Sequence, residues 1–380
     1  MDVFFNEDAR RDRKAFRDFV QREILPAADR HDREQEISRD LIARIARQGY
    51  LGATVPKDFG GMGMDLLAFG LLSEELGRGC AAVRSLITVQ TMVTQAIERW
   101  GTEEQKTRWL PQLASGEKIA AFALTEPEYG SDAGGIQTHI GSVNGKLVIT
   151  GVKKWITFGQ IADLFLLMGR HQDKLCAVLV ERSSPGITVK PIKDILGVRG
   201  SMLAEIQFDQ CAVAGTCLLG SSGFGLTTVA FTALDIGRYS IACGCVGLAQ
   251  ASLEAAVDYT KTRKQFNAYL REYQLIQEKI ADMVTDIRAA RLLCFRAGYC
   301  KKTKNPNAFR DMMIAKYYAS NMAIRVAAKA VEILGANGCS REFPVERYYR
   351  DAKINETIEG TNQMLQTMIS RYGFNDYAED

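Results

Sequence analysis

The chain of 380 residues is 47% hydrophobic and 24% charged, enough to bury a large core in two or three domains, which excludes a small disulfide-stapled scaffold. Its 48 basic and 45 acidic side chains give a formal charge of +3 and are dispersed, so the concentrated basic face that nucleic-acid binding needs is missing. No run approaches the roughly eighteen apolar residues of a membrane span, and none is expected.

The N-terminal Met1-Asp2-Val3-Phe4-Phe5-Asn6-Glu7-Asp8 is acidic and soon polar, unlike a secretory or organellar leader, and the expected location is cytoplasmic. From residue 6 to about 115 apolar residues recur at helical spacing, as at Phe16, Phe19 and Val20 or Leu41 and Ile45, with breaks expected at Pro26, Pro56 and Pro111. Gly60-Gly61-Met62-Gly63 is a loop between helices. From about 118 to 218 the pattern turns to short β-type runs. Asn144-Gly145 before Leu147-Val148-Ile149 is a hairpin signal, because both central turn positions need positive φ. Further strands are expected over 164–168, 176–180, 187–190 and 204–208, without intervening helices, as in a small β-barrel or sandwich. Gly220-Ser221-Ser222-Gly223-Phe224-Gly225 lacks the order of a phosphate loop and reads as an inter-domain connection. Beyond about 226 the chain is helical again. Ile276, Ile280, Met283, Ile287, Ala290 and Cys294 form one packing stripe, and Val246, Ala249, Leu253 and Ala256 another. With 309–334 and 361–372 these predict a four-helix bundle. The fold class is α+β multidomain: an all-helical domain over 1–117, a β-barrel-like middle domain over 118–222 and a C-terminal bundle over 223–380.

Nine cysteines, an odd number without Cys-x-x-Cys, read as reduced, buried thiols. His31, His139 and His171 share no metal-ligand spacing, so neither a metal site nor a Ser-His-Asp triad is expected. Catalytic potential concentrates near the C-terminus, where Arg350-Asp351-Ala352-Lys353-Ile354 leads to Glu359-Gly360-Thr361-Asn362-Gln363, read together as a catalytic loop. A carboxylate that takes a proton from carbon must be desolvated to raise its pKa, and a following glycine lets backbone approach a ligand. Taken alone, a glutamate before glycine in a helix-rich region is more often a solvated surface residue.

Context changes that weighting. Leu334-Gly335-Ala336-Asn337-Gly338, Pro344-Val345-Glu346-Arg347 and Arg350 to Ile354, followed by Glu359-Gly360-Thr361, resemble the C-terminal signature of the acyl-CoA dehydrogenases. Thr125-Glu126-Pro127-Glu128-Tyr129-Gly130-Ser131-Asp132, Lys153-Lys154-Trp155-Ile156-Thr157 and Arg263-Lys264-Gln265-Phe266 resemble three further motifs in that family's order. The resemblance spans the chain from the glycine turn at 60 to Arg371. It implies FAD between β-domain and bundle, with Leu124, Thr125, Gly130, Ser131, Trp155 and Thr157 as contacts. Arg263 and Phe266 would hold the far half of FAD in a neighbouring subunit, with Glu332, Ala336, Thr361 and Gln363 as further cofactor-side positions.

The same resemblance makes Glu359 the base that takes the α-proton of an acyl thioester while the β-hydrogen leaves as hydride to flavin N5. Asp235, Arg238 and Gly360 become substrate-side contacts, Asp235 being alternatively a helix-entry residue and the one visible rival to Glu359 as base. In one branch the base lies on the helix near 234–238, where the matching position here is Gly237 and cannot serve. Phe158, Ile358, Glu332, Ala336 and Gln366 depart from common family residues, expected around the substrate end and inter-subunit contacts. Implied partners are acyl-CoA or an acyl, aminoacyl or hydroxyacyl group on a phosphopantetheine carrier protein, an electron-transfer flavoprotein, and further copies in a homotetramer or homodimer. The competing readings are a flavin monooxygenase or oxidase on the same fold and a non-catalytic, flavin-free scaffold.

Overall fold

The computed structural model describes residues 7–376. The N-terminal part is helical: α1 (Glu7–Phe19), α2 (Ala28–Glu34), α3 (Arg39–Arg47), α4 (Leu66–Gly79), α5 (Ala81–Trp100) and α6 (Glu103–Ser115). Polar side chains set the starts. Asp65, closing the glycine loop, accepts from the Ala68 N–H ahead of α4, and Thr102 with Gln105 makes a reciprocal cap on α6. Pro26 lies in a short 3-10 turn and Pro56 before one, as expected. Pro111 does not break its helix but sits inside α6, where burial of Trp109, Leu110 and Leu113 outweighs the lost backbone bond.

Eight strands follow: β1 (Ala120–Ala123), β2 (His139–Val143), β3 (Lys146–Ile156), β4 (Leu164–His171), β5 (Lys174–Glu181), β6 (Ile187–Pro191), β7 (Ala204–Ala214) and β8 (Leu218–Leu219). The β2–β3 hairpin turns at Asn144 and Gly145, with φ of 50° and 75°. The sheet order is β6-β7-β3-β2-β4-β5-β8, with β1 parallel to β4. Phe165 of β4 and Phe208 of β7 lie three positions apart in that order, yet their rings meet edge to face at 6.2 Å. The sheet therefore curls over a core of its own, with its path open between β6 and β8. Its other face packs Ala120, Leu164, Leu166 and Leu179 against Val93, Ile97 and Leu110 of α5 and α6.

The C-terminal part is α7 (Phe231–Thr262), α8 (Gln274–Lys302), α9 (Ala308–Leu334), α10 (Val345–Asn355) and α11 (Asn362–Asp376), with a two-stranded ribbon, β9 (Lys264–Gln265) and β10 (Ala268–Tyr269), after α7. Arg350 to Ile354, expected as the start of a loop running to Gln363, lie instead in α10, and the turn that carries Glu359 is the short one after it. On α8 the predicted stripe is buried from Met283 to Cys294, whereas Ile276 and Ile280 are half-buried. The stretch Gly225–Thr262 is long and apolar enough to cross a bilayer, but most of it is buried inside the protein, where α7 contacts α4, α5, α8 and α9. One continuous core runs from Phe16 and Leu72 through Ile241 and Val246 to Met283, Met322 and Val345, so the N- and C-terminal helices are fused around α7. Of the nine free thiols, Cys217 is half-buried and Cys339 is exposed, a departure from the expected full burial.

Candidate active site

A cavity of about 1030 Å³ opens where the three parts meet, at the upper end of sizes that take a small-molecule or cofactor ligand. Its walls are one face of α5 (Arg84, Ser85, Thr88, Val89, Met92), the turn after β1, the end of β3, the segment 192–203, α7 and the turn between α10 and α11.

Glu359 stands in that last turn in left-handed backbone conformation, φ 57°, and Gly360 follows at 91°. Part of the residue reaches the cavity, but its Oε2 is enclosed and has no hydrogen-bond partner. Burial pushes its pKa up to about 7 against the pull of Arg238, Lys316 and Arg84. Space for the carboxyl comes from Gly237 on α7, where a Cβ would lie 2.8 Å from both Cδ and Oε2 of Glu359. Gly237 thus cannot be a base and is the gap in which the Glu359 carboxyl sits.

Three buried cations surround the turn. Lys316 on α9 donates to the carbonyl of Gly360 at 2.8 Å, to Asn362 Oδ1 at 3.1 Å and to the carbonyl of Glu356 at 3.4 Å. Ser320, one turn along, donates to the same Asn362 oxygen at 2.9 Å. Burial lowers the Lys316 pKa to about 8. Arg238 Nε donates to the Glu359 carbonyl at 3.1 Å, and Arg84 Nη2 donates to Asn355 Oδ1 at 3.0 Å at the end of α10. The turn's carbonyls, continuing the negative end of α10, are therefore held by cations. Asp351 ties α10 to the cavity-lining segment by accepting from the Val198 N–H at 2.5 Å, and burial raises its pKa to about 6.

On the β side, Glu126 organises the turn after β1. Its oxygens accept from Lys153 at 2.7 Å, the Thr138 hydroxyl at 2.6 Å, and the N–H groups of Thr138 and Gln137. Burial would raise its pKa, but those donors hold it below the usual carboxylate value. Lys153 also donates to the Leu124 carbonyl at 2.8 Å, and burial lowers its own pKa to about 8. Two residues on, a register shift between Lys153 and Ile156 puts Trp155 at φ 62° and leaves it 50% exposed against the cavity. At Gly130 a Cβ would meet nothing within 4 Å, so the turn leaves open space there. An exposed aromatic face, a turn of backbone and hydroxyl groups, and this volume fit a flavin dinucleotide.

Of the sequence-assigned residues, Leu124, Thr125, Gly130, Ser131, Trp155, Thr157, Arg238, Glu359, Gly360 and Thr361 line the one cavity. Gln363 is exposed on the first turn of α11 and outside the lining. Arg263, Phe266, Glu332 and Ala336 collect elsewhere, at the end of the bundle where Asn337 donates to Tyr259 and Lys279 to Glu332. There Phe266 is 91% exposed, so within one chain these four do not join the cavity. Asp235 is corrected from a substrate contact: it turns away to an ion pair with Lys301 of α8. Ile358 lines the cavity, but Phe158 is core, Gln366 bonds Tyr317 on the surface, and neither belongs to the lining. Arg84, Lys316 and Asp351 were assigned no role from sequence. The available signal was a lone charge on an apolar helix face, as with Lys316 among Met312, Ala315, Ala319 and Ala323.

Sequence models described as acyl-CoA dehydrogenase N-terminal, middle and C-terminal domains match residues 6–117, 121–211 and 223–373. An acyl-CoA dehydrogenase of Bacillus subtilis is 40% identical over 368 residues, 95% of this chain and 96% of that protein. The human mitochondrial short-chain specific acyl-CoA dehydrogenase is 36% identical over 367 residues, 95% of this chain and 89% of that one. The solved butyryl-CoA dehydrogenase from Megasphaera elsdenii superposes with a TM-score of 0.93 at 33% identity, covering 97% of this chain and 98% of that chain.

Proposed function

Because the chain belongs to the acyl-CoA dehydrogenase family, FAD-dependent oxidoreductases acting on CH–CH bonds, we propose that it dehydrogenates an acyl thioester between Cα and Cβ with Glu359 as the base. The observation that carries this is the Glu359 carboxyl, enclosed at Oε2, raised to about 7 and presented to the shared cavity. Leu124, Thr125, Gly130, Ser131, Trp155 and Thr157 would hold FAD, which would supply the acceptor for the β-hydrogen and its electron pair. Glu359 takes the α-proton. The Glu359 N–H makes no hydrogen bond among the described residues and is free to meet the thioester oxygen as enolate character develops. Gly237 keeps room for the carboxylate, and Lys316 with Arg238 fixes the turn that carries it.

Arg263, Phe266, Glu332 and Ala336 serve a neighbouring copy in a homotetramer or homodimer; the near-complete exposure of Phe266 in the single chain supports that reading. Electrons leave to an electron-transfer flavoprotein. The short-chain and butyryl-CoA relatives make a short acyl-CoA the first substrate to try. The test is anaerobic titration of the yellow protein with butyryl-CoA and with the same acyl group on a carrier protein, following loss of flavin absorbance. Bleaching by the CoA ester supports the proposal. Bleaching only by the carrier-bound group moves the thioester to a carrier protein, and bleaching by neither sinks the dehydrogenase assignment.

A further inference from the structure

Helices α5 and α7 each contribute a buried arginine to the wall beside the base. Arg84 is 2% exposed and Arg238 is 4% exposed, and both line the cavity. Arg84 makes one hydrogen bond, to the neutral side chain of Asn355, and Arg238 makes one, to the backbone carbonyl of Glu359. Arg238 Nη1 is enclosed with no partner. Among the described residues neither guanidinium has a carboxylate within ion-pair distance.

A guanidinium buried without an anion is costly, and most proteins pair it. The carboxyls that act on Arg84 and Arg238 through the interior include Glu359, which must stay free to take a proton, and Asp351 and Asp235, which are engaged by Val198 and Lys301. The wall is also shaped for this side chain: at Gly244 of α7 a Cβ would come within 3.0 Å of Cδ and Nε of Arg84. Arg84 is shut off from solvent, so the hydrophilic nucleotide end of a CoA thioester is a poor match. The acyl end, which this cavity buries beside Glu359, is the better one.

We propose that the acyl group read by this site carries a carboxylate, and that Arg84 is the specificity-determining residue, with Arg238 lending charge from the facing helix. The proposal rests on the dehydrogenase reading above. A planar guanidinium fork matches a carboxylate in two parallel hydrogen bonds, which an aliphatic end cannot offer. Cations that served only to restrain the base would show no such preference.

The test compares glutaryl-CoA with pentanoyl-CoA, which share their α- and β-carbons and differ in a carboxylate against a methyl group, using the flavin-loaded wild-type protein. The expected result is kcat/KM favouring glutaryl-CoA by roughly tenfold or more, the worth of one hydrogen-bonded charge. In Arg84→Met the ratio falls toward one; in Arg84→Lys, which keeps charge without the fork, it lies between. If Arg84→Met does not fold, the wild-type ratio still decides. Equal or better turnover of pentanoyl-CoA overturns the proposal while leaving the dehydrogenase intact, and turnover of neither ester, with butyryl-CoA and the carrier-bound butyryl group also inert, overturns both.

Discussion

At Glu359 the activity and the stability pull in opposite directions. A carboxyl whose pKa is raised to about 7 from an ordinary 4.5 favours the folded state while protonated, and that contribution is lost as pH rises from about 4.5 through 7. Glu359→Gln is therefore expected to abolish most turnover, roughly 10²-fold to 10⁴-fold in kcat, yet to keep flavin and to melt higher than wild type at pH 8, with the gap closing below pH 5. Stopped-flow reduction and thermal melts at the two pH values check this; a normal kcat would remove Glu359 from the mechanism. In the wild type, kcat/KM should fall as pH drops below about 7, because the base must be unprotonated. Gly237→Ala addresses the space rather than the charge. A methyl 2.8 Å from the carboxyl must displace it, so kcat is expected to fall at least about tenfold, while alanine's better helix propensity, about 1 kcal/mol, keeps the melting temperature near wild type.

At the level of elements, Glu359 is carried by a turn between α10 and α11, with no regular structure to hold it. Lys316 on α9 takes over that task by binding carbonyls on both sides of Glu359 and, with Ser320, the Asn362 amide oxygen that starts α11. Lys316→Met, close in length but without the ammonium, is expected to lower kcat about tenfold with a smaller change in KM. It should also move the acid limb of the pH profile upward, since one of the cations that lower the Glu359 pKa is gone. A loss of fold alone would change flavin content and not that pH midpoint. The β element uses the same device in reverse: the Glu126–Lys153 pair sets the turn after β1, and the bulge two residues later aims Trp155 at the cavity.

Across the whole molecule, the N- and C-terminal helices behave as one body because their apolar faces meet around α7. A buried ion network crosses the same seam: Glu74 of α4 accepts from Arg291 of α8 at 2.9 Å and from Arg13 of α1 at 2.7 Å. Glu74→Ala leaves Arg291 buried and uncompensated, for which about 3–5 kcal/mol is expected. The measurement is urea unfolding followed by far-UV circular dichroism and by flavin release. Both probes should shift together to lower urea; a shift in flavin release alone would show that the seam is not part of one cooperative unit.

Much of this was already legible in the residues. Helical spacing, the Asn144-Gly145 turn and the change from period 3.6 to short β runs determined helical, β and helical parts in order, because those signals are local and each element keeps its own period. The Thr125-to-Asp132, Trp155 and Glu359 motifs picked out three stretches of the cavity wall, the turn after β1, the end of β3 and the 359 turn, since each holds its residues on one short segment. What tertiary structure decided was long-range. Burial, against the pull of three cations, is what raises the Glu359 pKa to about 7. Gly237 matters because α7 passes the 359 turn, 122 residues away in sequence. Lys316 and Arg84 read as stray charges on apolar helices until packing shows what they face. Asp235, one residue from the cavity wall, could not be told from a ligand until the rotation of α7 turned it toward Lys301. Side-chain pairing across separate helices depends on their rotation and register, and no local sequence period encodes either.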